Sequence, residues 1–256
     1  MTKDYDYDKI LQGILDIGEE MIVAGAEVSR VEDSISRMCR SYGGDRINVF
    51  IIISNIQVTM ETPDGRILTH IRQVIRNDVN FDRLDYLNDL SRKICETTPD
   101  WQVLHEKLEQ VMNRPKQSVA LRFLGCILGA GAFTLFFGGT WQDGFASCIM
   151  GIIVVFFELF LAKQEKNQIV YHFLASLVAG ISAHFLVRIG IGEHVEMLMI
   201  GGIMLLIPGI AMTNAARDML TGDIASGMLR LSNALLVAAA IACGFALSII
   251  MLGGVL

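Results

Sequence analysis

The chain has 256 residues, 52% of them hydrophobic, and a formal net charge of -6. It lacks the basic excess of nucleic-acid-binding proteins, so we expect no nucleic-acid partner. Its charges are unevenly distributed, since 35 of the 48 Asp, Glu, Lys and Arg residues lie in the first 117 positions. This asymmetry predicts a polar domain over residues 1–117 and an apolar domain over residues 118–256.

The polar domain opens with an amphipathic pattern. The first ten residues are acidic and contain no apolar core, so we do not expect them to form a cleavable signal peptide. Apolar residues then recur at spacings of three and four from Ile10 to Met38, which predicts one helix from about 8 to 41.

A polar stripe accompanies the apolar one on this predicted helix. Glu27, Arg30 and Arg37 lie on it at spacings that let side chains meet on a helix surface. Such a stripe is often a solvated face with salt bridges. The alternative is a regulatory face that docks on the apolar domain or meets cytosolic solute.

The rest of the polar domain alternates strands and helices. Three β-branched runs at 47–54, 56–62 and 66–72 predict an antiparallel sheet, with a turn at Pro63-Asp64-Gly65. Helical periodicity returns at 80–96 and 100–113, which completes an α+β domain. We find no metal-ligand spacing or catalytic triad, so we expect no enzyme activity, metal or cofactor.

The apolar domain contains five stretches that are each near the roughly 20 residues needed to span a bilayer. The sequence therefore predicts a multi-pass α-helical membrane protein of five transmembrane helices with an amino-terminal cytoplasmic α+β domain. The five stretches are 119–138, 144–162, 169–187, 197–213 and 231–253.

Lys and Arg in the short loops predict the orientation. Lys163 and Lys166 precede the third stretch, and Arg217 and Arg230 follow the fourth, whereas the opposite side has only Arg188. Because positive loops remain in the cytoplasm, the amino terminus is predicted to be cytoplasmic and the carboxyl terminus to lie outside.

The fourth apolar stretch is interrupted by Pro208 and Gly209. Proline lacks an amide hydrogen and frees a carbonyl one turn earlier, and broken helices in membranes mostly line cavities. A polar cluster follows the break, and we expect it to form a substrate path or gate; a salt-bridged loop that sets topology is the alternative. The cluster contains Asn214, Arg217, Asp218, Asp223 and Arg230.

Two ionisable residues near the cytoplasmic ends of the second and third stretches are candidates for proton coupling. Burying a charge in hydrocarbon costs about 3 kcal/mol or more, so Glu158 and His172 stand out. A carboxylate and an imidazole that approach each other could exchange a proton as access changes. A snorkelling glutamate and an interfacial histidine are the alternative.

Two stretches of the chain together resemble the threonine/serine exporter (ThrE) family. The first is Ala24-Gly-Ala-Glu-Val-Ser-Arg-Val-Glu-Asp-Ser-Ile35. The second follows the fourth apolar stretch and comprises Pro208-Gly209, Arg217-Asp218, Gly222-Asp223, Gly227 and Arg230. The resemblance covers nearly the whole chain in the family's order.

The resemblance implies proton-driven export of threonine, serine or related small metabolites across a prokaryotic inner membrane. Fused family members join two membrane halves, so this chain looks like the longer subunit of a split exporter with a small membrane partner, or a homo-oligomer. Small dicarboxylates such as succinate are an alternative substrate. A membrane-bound sensor or assembly subunit is the alternative from another class.

Overall fold

The computed structural model describes residues 5–52, 54–75, 78–115, 118–161 and 167–253, apart from the side chains of residues 158 and 161. These residues divide into two compact units. The first unit comprises Met1–Pro115 with Thr213–Leu231, and the second comprises Lys116–Met212 with Ser232–Leu256. The segment 213–231 thus belongs to the same unit as the amino-terminal residues.

The first unit begins with two helices, not the single helix expected over 8–41. Helix α1 covers Tyr7–Val23 and α2 covers Val28–Ser41. Gly25 breaks the helix because its φ is +97°, a backbone angle that L-residues with a side chain rarely adopt. The apolar periodicity continues through the break, so it could not reveal the loop.

The remainder of the amino-terminal part follows the predicted order. Strands β1 (Asp45–Ile52), β2 (Asn55–Glu61) and β3 (Ile67–Gln73) form an antiparallel sheet with β2 in the centre. Helices α3 (Phe81–Thr97) and α4 (Trp101–Met112) follow.

A single apolar core holds these elements together. The predicted stripe on α1 and α2 is buried, as are the inward-facing residues of β2, and α3 and α4 contribute leucines. The other face of the sheet carries exposed side chains, which is usual for an antiparallel sheet covered on one side. Representative core residues are Ile14, Met21, Ile35, Val58 and Leu87.

The second unit is built from apolar helices. Helices α5 (Val119–Phe136), α6 (Trp141–Leu161), α7 (Gln168–Arg188) and α8 (Val195–Leu206) belong to it. Helices α9 (Gly209–Leu220) and α10 (Ile224–Leu252) each have residues in both units.

Three of the described helices, α5, α7 and α10, are long and apolar enough to cross a membrane. A fourth span results if α8 and α9, whose axes differ by 54°, count as one broken helix. The segment Trp141–Phe157 of α6 is apolar but shorter. The count of five spans therefore stays a prediction, as does the orientation, and Lys163 and Lys166 lie outside the described residues.

Small residues allow the apolar helices to pack closely. A Cβ added to Gly131 of α5 would lie 2.6 Å from the sulfur of Cys148 in α6. Between α7 and α10 the contacts are reciprocal: a Cβ on Gly180 would collide with Ser248, and one on Gly244 would collide with Ser176. These glycines serve helix packing within the second unit.

Candidate functional site

The loop between α1 and α2, residues 24–27, carries the first signature stretch. Its backbone closes on the end of α1, since the amides of Gly25 and Ala26 donate to the carbonyls of Ile22 and Met21 at 3.0 and 2.9 Å. Glu27 then occupies the N-cap position of α2, but its side chain caps no amide of that helix. Its carboxylate is thereby available for other partners.

Backbone contacts hold this α1–α2 loop on one side. The amide of Asp78 donates to the carbonyl of Val23, and that of Asn80 donates to the carbonyl of Ala24, both at 3.1 Å. A Cβ on Gly25 would lie 3.2 Å from the side chain of Val79. Glycine at this position thus satisfies both the backbone angle and the close approach of segment 78–80.

The second signature stretch contacts the same loop. We call residues 213–231, which comprise the end of α9, a tight turn and the start of α10, the polar hairpin. The side-chain amide of Asn214 donates to the carbonyl of Gly25 at 3.2 Å, and the guanidinium of Arg230 donates to that of Ala26 at 3.4 Å. Hence the first signature stretch and the polar hairpin form one site within the first unit.

An ion pair between Arg217 and Glu27 adds to these contacts. The Arg217 side chain is 54% exposed, whereas that of Glu27 is 18% exposed. Arginine presents five N–H donors in a planar fork that matches a carboxylate. Arg217 therefore offers solvent a cationic surface even while it contacts Glu27.

A second ion pair in the polar hairpin is buried. The Nε atom of Arg230 lies 3.2 Å from a carboxylate oxygen of Asp218, and the two side chains are only 14% and 1% exposed. Burial disfavours the Asp218 charge, and the charge of Arg230, together with the nearby amide of Val28 at the start of α2, offsets part of this cost. Neither carboxylate oxygen of Asp218 has a hydrogen-bond partner among the described residues, so the ion pair with Arg230 is its main compensation.

Glycines in the polar hairpin permit its tight turn. Gly222 has a φ of +102°, and the amide of Asp223 donates to the carbonyl of Asp218 at 2.9 Å. A Cβ on Gly227 would lie 2.8 Å from the carbonyl oxygen of Ala215, so α10 can approach α9 only with glycine there. These contacts explain why glycine occupies both signature positions.

Asp223 faces α2 from the turn. Burial raises the pKa of Glu32 on α2, and the negative charge of Asp223 raises it further. The amide of Gly227 donates to the Asp223 carbonyl at 2.9 Å, so Asp223 begins α10. Its carboxylate is thus placed near an acidic residue of α2.

The remaining residues of the predicted regulatory face point away from this site. Arg37 pairs with Asp33 one turn earlier on α2, at 2.8 Å. Arg30 is exposed and lies at the edge of a groove between α2 and α3. Glu27 is the member of the predicted stripe whose contact with the polar hairpin is seen, through its ion pair with Arg217.

The predicted break at Pro208 is present. The amide of Ile207 makes the last bond of α8, to the carbonyl of Ile203 at 2.9 Å, and the amide of Met212 begins α9 by donating to the carbonyl of Pro208 at 3.0 Å. A Cβ on Gly209 would meet no atom within 4 Å. Proline therefore causes the break, and packing does not require glycine beside it.

The proton-coupling pair is not brought together by the described atoms. His172 lies on α7, where its ring packs edge-on against Tyr171 with centroids 5.1 Å apart. Glu158 lies on α6, but its side chain is outside the described part of the chain. Their approach stays a prediction.

Sequence reasoning missed Asp143, a fully buried carboxylate in the first turn of α6. The amide of Thr140 donates to Asp143, and the amide of Asp143 donates to the Thr140 hydroxyl, at 3.0 and 3.2 Å. This reciprocal capping pair was visible in the sequence as Thr-x-x-Asp before an apolar run. Asp143 also accepts from the amides of Glu193 and His194, at 2.7 and 2.9 Å.

The His194 ring completes this cluster. Its Nδ1 lies 2.9 Å from Asp143, and this hydrogen bond raises the pKa of His194, with the charges of Asp143, Glu196 and Glu193 adding to the effect. Asp143, Glu193 and His194 are the described residues whose ligand atoms could surround a metal ion. The Asp143 oxygens are, however, already engaged in hydrogen bonds that join α6 to the start of α8.

Apolar helices, a proline break between α8 and α9 and a polar cluster are features expected of a membrane transport protein. The family model for ThrE, described as "Putative threonine/serine exporter", matches residues 12–252. The chain belongs to this family, as the resemblance implied.

Curated relatives are distant but cover most of the chain. A "Threonine/serine exporter" from Corynebacterium glutamicum is 24% identical over 91% of this chain and 49% of its own length. A "Probable threonine/serine exporter" from Mycobacterium tuberculosis is 24% identical over 94% of this chain and 46% of its own length. The chain thus spans about half the length of these two relatives.

A second kind of relative has a similar length. A "Probable succinate transporter subunit YjjP" from Escherichia coli K12 is 23% identical over 90% of this chain and 89% of its own length. No solved structure matches the chain. The names of the relatives therefore agree on transport but differ in substrate.

Proposed function

We propose that the chain is a subunit of a proton-driven secondary exporter of threonine and serine. The contact between Glu27 and Arg217 carries this proposal, because it joins the two family signatures on a helix that begins at a break in an apolar span. An exposed arginine beside a replaceable carboxylate suits a solute that has a carboxylate of its own.

The polar hairpin would serve as the cytoplasmic entrance. Arg217 would bind the carboxylate of the arriving solute, and Glu27 would be displaced from it. Asn214, Asp218 and Arg230 would position Arg217 through their contacts with the α1–α2 loop and the start of α2. The burial of Asp218 favours this supporting role over direct attraction of an ammonium group.

The break at Pro208 would form the next part of the path. Helix α9 is continuous from Gly209 to Leu220, so Arg217 lies about 12 Å along the axis from Gly209. Open space beside Gly209 would allow a solute to approach the backbone. Alternating access around this break would move the solute across the membrane.

Proton coupling would depend on Glu158 and His172. Each lies in an apolar helix, where an ionisable side chain is costly unless it has a function. Protonation of Glu158 from outside, followed by release to the cytoplasm, would drive one half of the cycle. The imidazole of His172 would relay the proton.

The assembly we propose has five spans and a polar domain over residues 1–117, with the amino terminus in the cytoplasm and the carboxyl terminus outside. A small membrane subunit would complete the transporter. The printed name of YjjP as a subunit, and the doubled length of the exporter relatives, support a second membrane part. A homo-oligomer is the alternative arrangement.

Succinate is the second candidate substrate, because the relatives of matching length are named succinate transporter subunits. Arg217 would bind one of its two carboxylates by the same chemistry. The two substrates differ in the ammonium group, which only the amino acids carry. A sensor or assembly subunit would bind solute without moving it.

Counterflow in proteoliposomes tests this function. The chain is reconstituted with a candidate partner subunit, and uptake of labelled threonine, serine and succinate is measured against unlabelled solute inside. Faster uptake of threonine or serine than in vesicles with Arg217→Gln supports the proposal. Uptake of succinate alone would identify succinate, and not threonine or serine, as the substrate. Binding of solute without counterflow would indicate a sensor.

A further inference from the structure

A groove of about 570 Å³ lies between α2 and α3 in the first unit, apart from the entrance described above. Its volume is within the roughly 300–1,000 Å³ of small-molecule sites. The wall formed by α2 comprises Arg30, Asp33, Ser34 and Arg37. The wall formed by α3 includes Asp85, Asn88, Arg92 and Glu96.

The two walls run in the same direction. The amide of Asn80, just before α3, donates to the carbonyl of Ala24, just before α2. At the other end the hydroxyl of Tyr42, just after α2, donates to the carbonyl of Pro99, just after α3, at 2.7 Å. The early residues Arg30 and Asp85 therefore line one end of the groove, and Arg37 and Glu96 line the other.

The charges of the groove are balanced and only partly neutralised. The groove is lined by three arginines and three acidic residues, and each wall carries both signs: Arg30, Arg37 and Asp33 lie on α2, and Arg92, Asp85 and Glu96 lie on α3. Arg37 pairs with Asp33, and Arg92 pairs with Asp89 outside the groove. Within the described residues, no ion pair engages Arg30, Asp85 or Glu96. A cation and an anion are thus both available at the Arg30 end.

This balance selects the class of ligand. A dianion such as succinate or phosphate would face as many acidic as basic side chains, which opposes its binding. A zwitterion satisfies both signs at once, with its carboxylate on an arginine and its ammonium on a carboxylate. We propose that the groove between α2 and α3 binds a free α-amino acid.

The position of the groove suggests how a bound amino acid would affect transport. Arg30 follows Glu27 by three residues, about 4.5 Å along the axis of α2. A ligand that pulls Arg30 toward α3 acts on the helix whose N-cap contacts Arg217. This regulatory effect rests on the proposed function of Arg217, whereas binding in the groove does not.

Equilibrium dialysis of labelled L-threonine against the full chain in detergent tests the site. The measurements use the Arg217→Gln background, so that the entrance does not contribute. We expect the further double change Arg30→Gln with Asp85→Asn to weaken threonine binding about tenfold or more, since two charge-assisted contacts are lost. Arg40→Gln, on the same helix but outside the groove, should leave binding unchanged.

Two controls keep the outcomes separate. All variants should unfold at the same temperature, and the single changes Arg30→Gln and Asp85→Asn should each weaken binding by less than the double change does. Undiminished threonine binding in the double variant, or equal competition by succinate, would overturn the inference. Absence of counterflow with groove binding intact would refute the proposed exporter and leave this site standing.

Discussion

The carboxylate of Glu27 is ion-paired with the guanidinium of Arg217, although 190 residues separate them in the chain. The pair is exposed on the arginine side and nearly covered on the glutamate side. Solvent can therefore reach the guanidinium of Arg217, and Glu27 occupies donors that the carboxylate of the proposed solute would need. This relationship makes Arg217 the most informative residue to change.

Replacing Arg217 with Gln should lower export about tenfold or more, because a charge-assisted contact to a carboxylate is lost. The unfolding temperature should hardly change, since an exposed ion pair contributes about 1 kcal/mol or less. Counterflow and thermal unfolding are measured on the same preparation, with Arg40→Gln as the control. Normal export by the Arg217 variant would exclude an entrance role.

The buried pair should behave differently. Arg230→Met leaves the Asp218 carboxylate buried without its countercharge, which costs about 3–5 kcal/mol, so the yield of folded protein should fall. Adding Asp218→Asn removes the isolated charge and should restore much of that yield. The measurement is the fraction of monodisperse protein after extraction. If the single variant were as stable as the double variant, the predicted cost of leaving Asp218 unpaired would be contradicted.

Gly227 on α10 and Gly209 on α9 provide a matched test of helix packing. Gly227→Ala places a Cβ 2.5 Å from Cγ of Met219 and should destabilise the protein by about 1–3 kcal/mol. Gly209→Ala meets open space and should unfold like the original. Thermal unfolding compares the two. Reduced counterflow in a stable Gly209 variant would support the path beside the break.

The Asp143–His194 hydrogen bond should make stability depend on pH. The folded-state pKa of His194 is raised above its ordinary 6.5, so this contribution is complete below pH 6.5 and is lost as the pH rises through the folded value. The unfolding temperature should decrease over that interval. His194→Gln should flatten this part of the profile, and an unaltered slope would exclude the pair as its source.

The change Glu158→Gln should abolish proton coupling but leave the movement of solute intact. Without an ionisable carboxyl, export driven by a proton gradient should stop, while exchange of labelled for unlabelled solute continues. Proteoliposomes with and without an imposed gradient measure the two rates. His172→Gln is the companion change and should slow only the driven reaction. Unchanged pH dependence of export in the Glu158 variant would rule out its role.

Local sequence patterns made much of the secondary structure of the first unit predictable. The three strands, the turn at Pro63-Asp64-Gly65 and the helices α3 and α4 follow alternation, turn residues and helical periodicity. The break at Gly25 was missed because periodicity reports which face is buried, not whether the backbone is continuous. The close approach of Val79 to Gly25 depends on the tertiary fold, which the periodicity of α1 and α2 does not report.

The candidate site was predicted in its residues but not in its contacts. The broken apolar helix and its charges drew attention to Arg217 and Asp218, whereas Glu27 was assigned to a separate face. Nothing local indicates that these two stretches meet, because long-range pairing depends on the whole fold. Asp143 was missed for a different reason, since its capping partner Thr140 is adjacent and could have been recognised.

The membership of residues 213–231 in the first unit also determines the order in which the protein can mature. Domains generally fold as their residues leave the ribosome, amino-terminal parts first. Here the α1–α2 loop is made early, but Asn214, Arg217 and Arg230 are made only after α5 to α8. The contacts between the α1–α2 loop and the polar hairpin can therefore form only after α5 to α8 have been synthesised, whereas the described residues of the amino-terminal core all come from the chain up to α4.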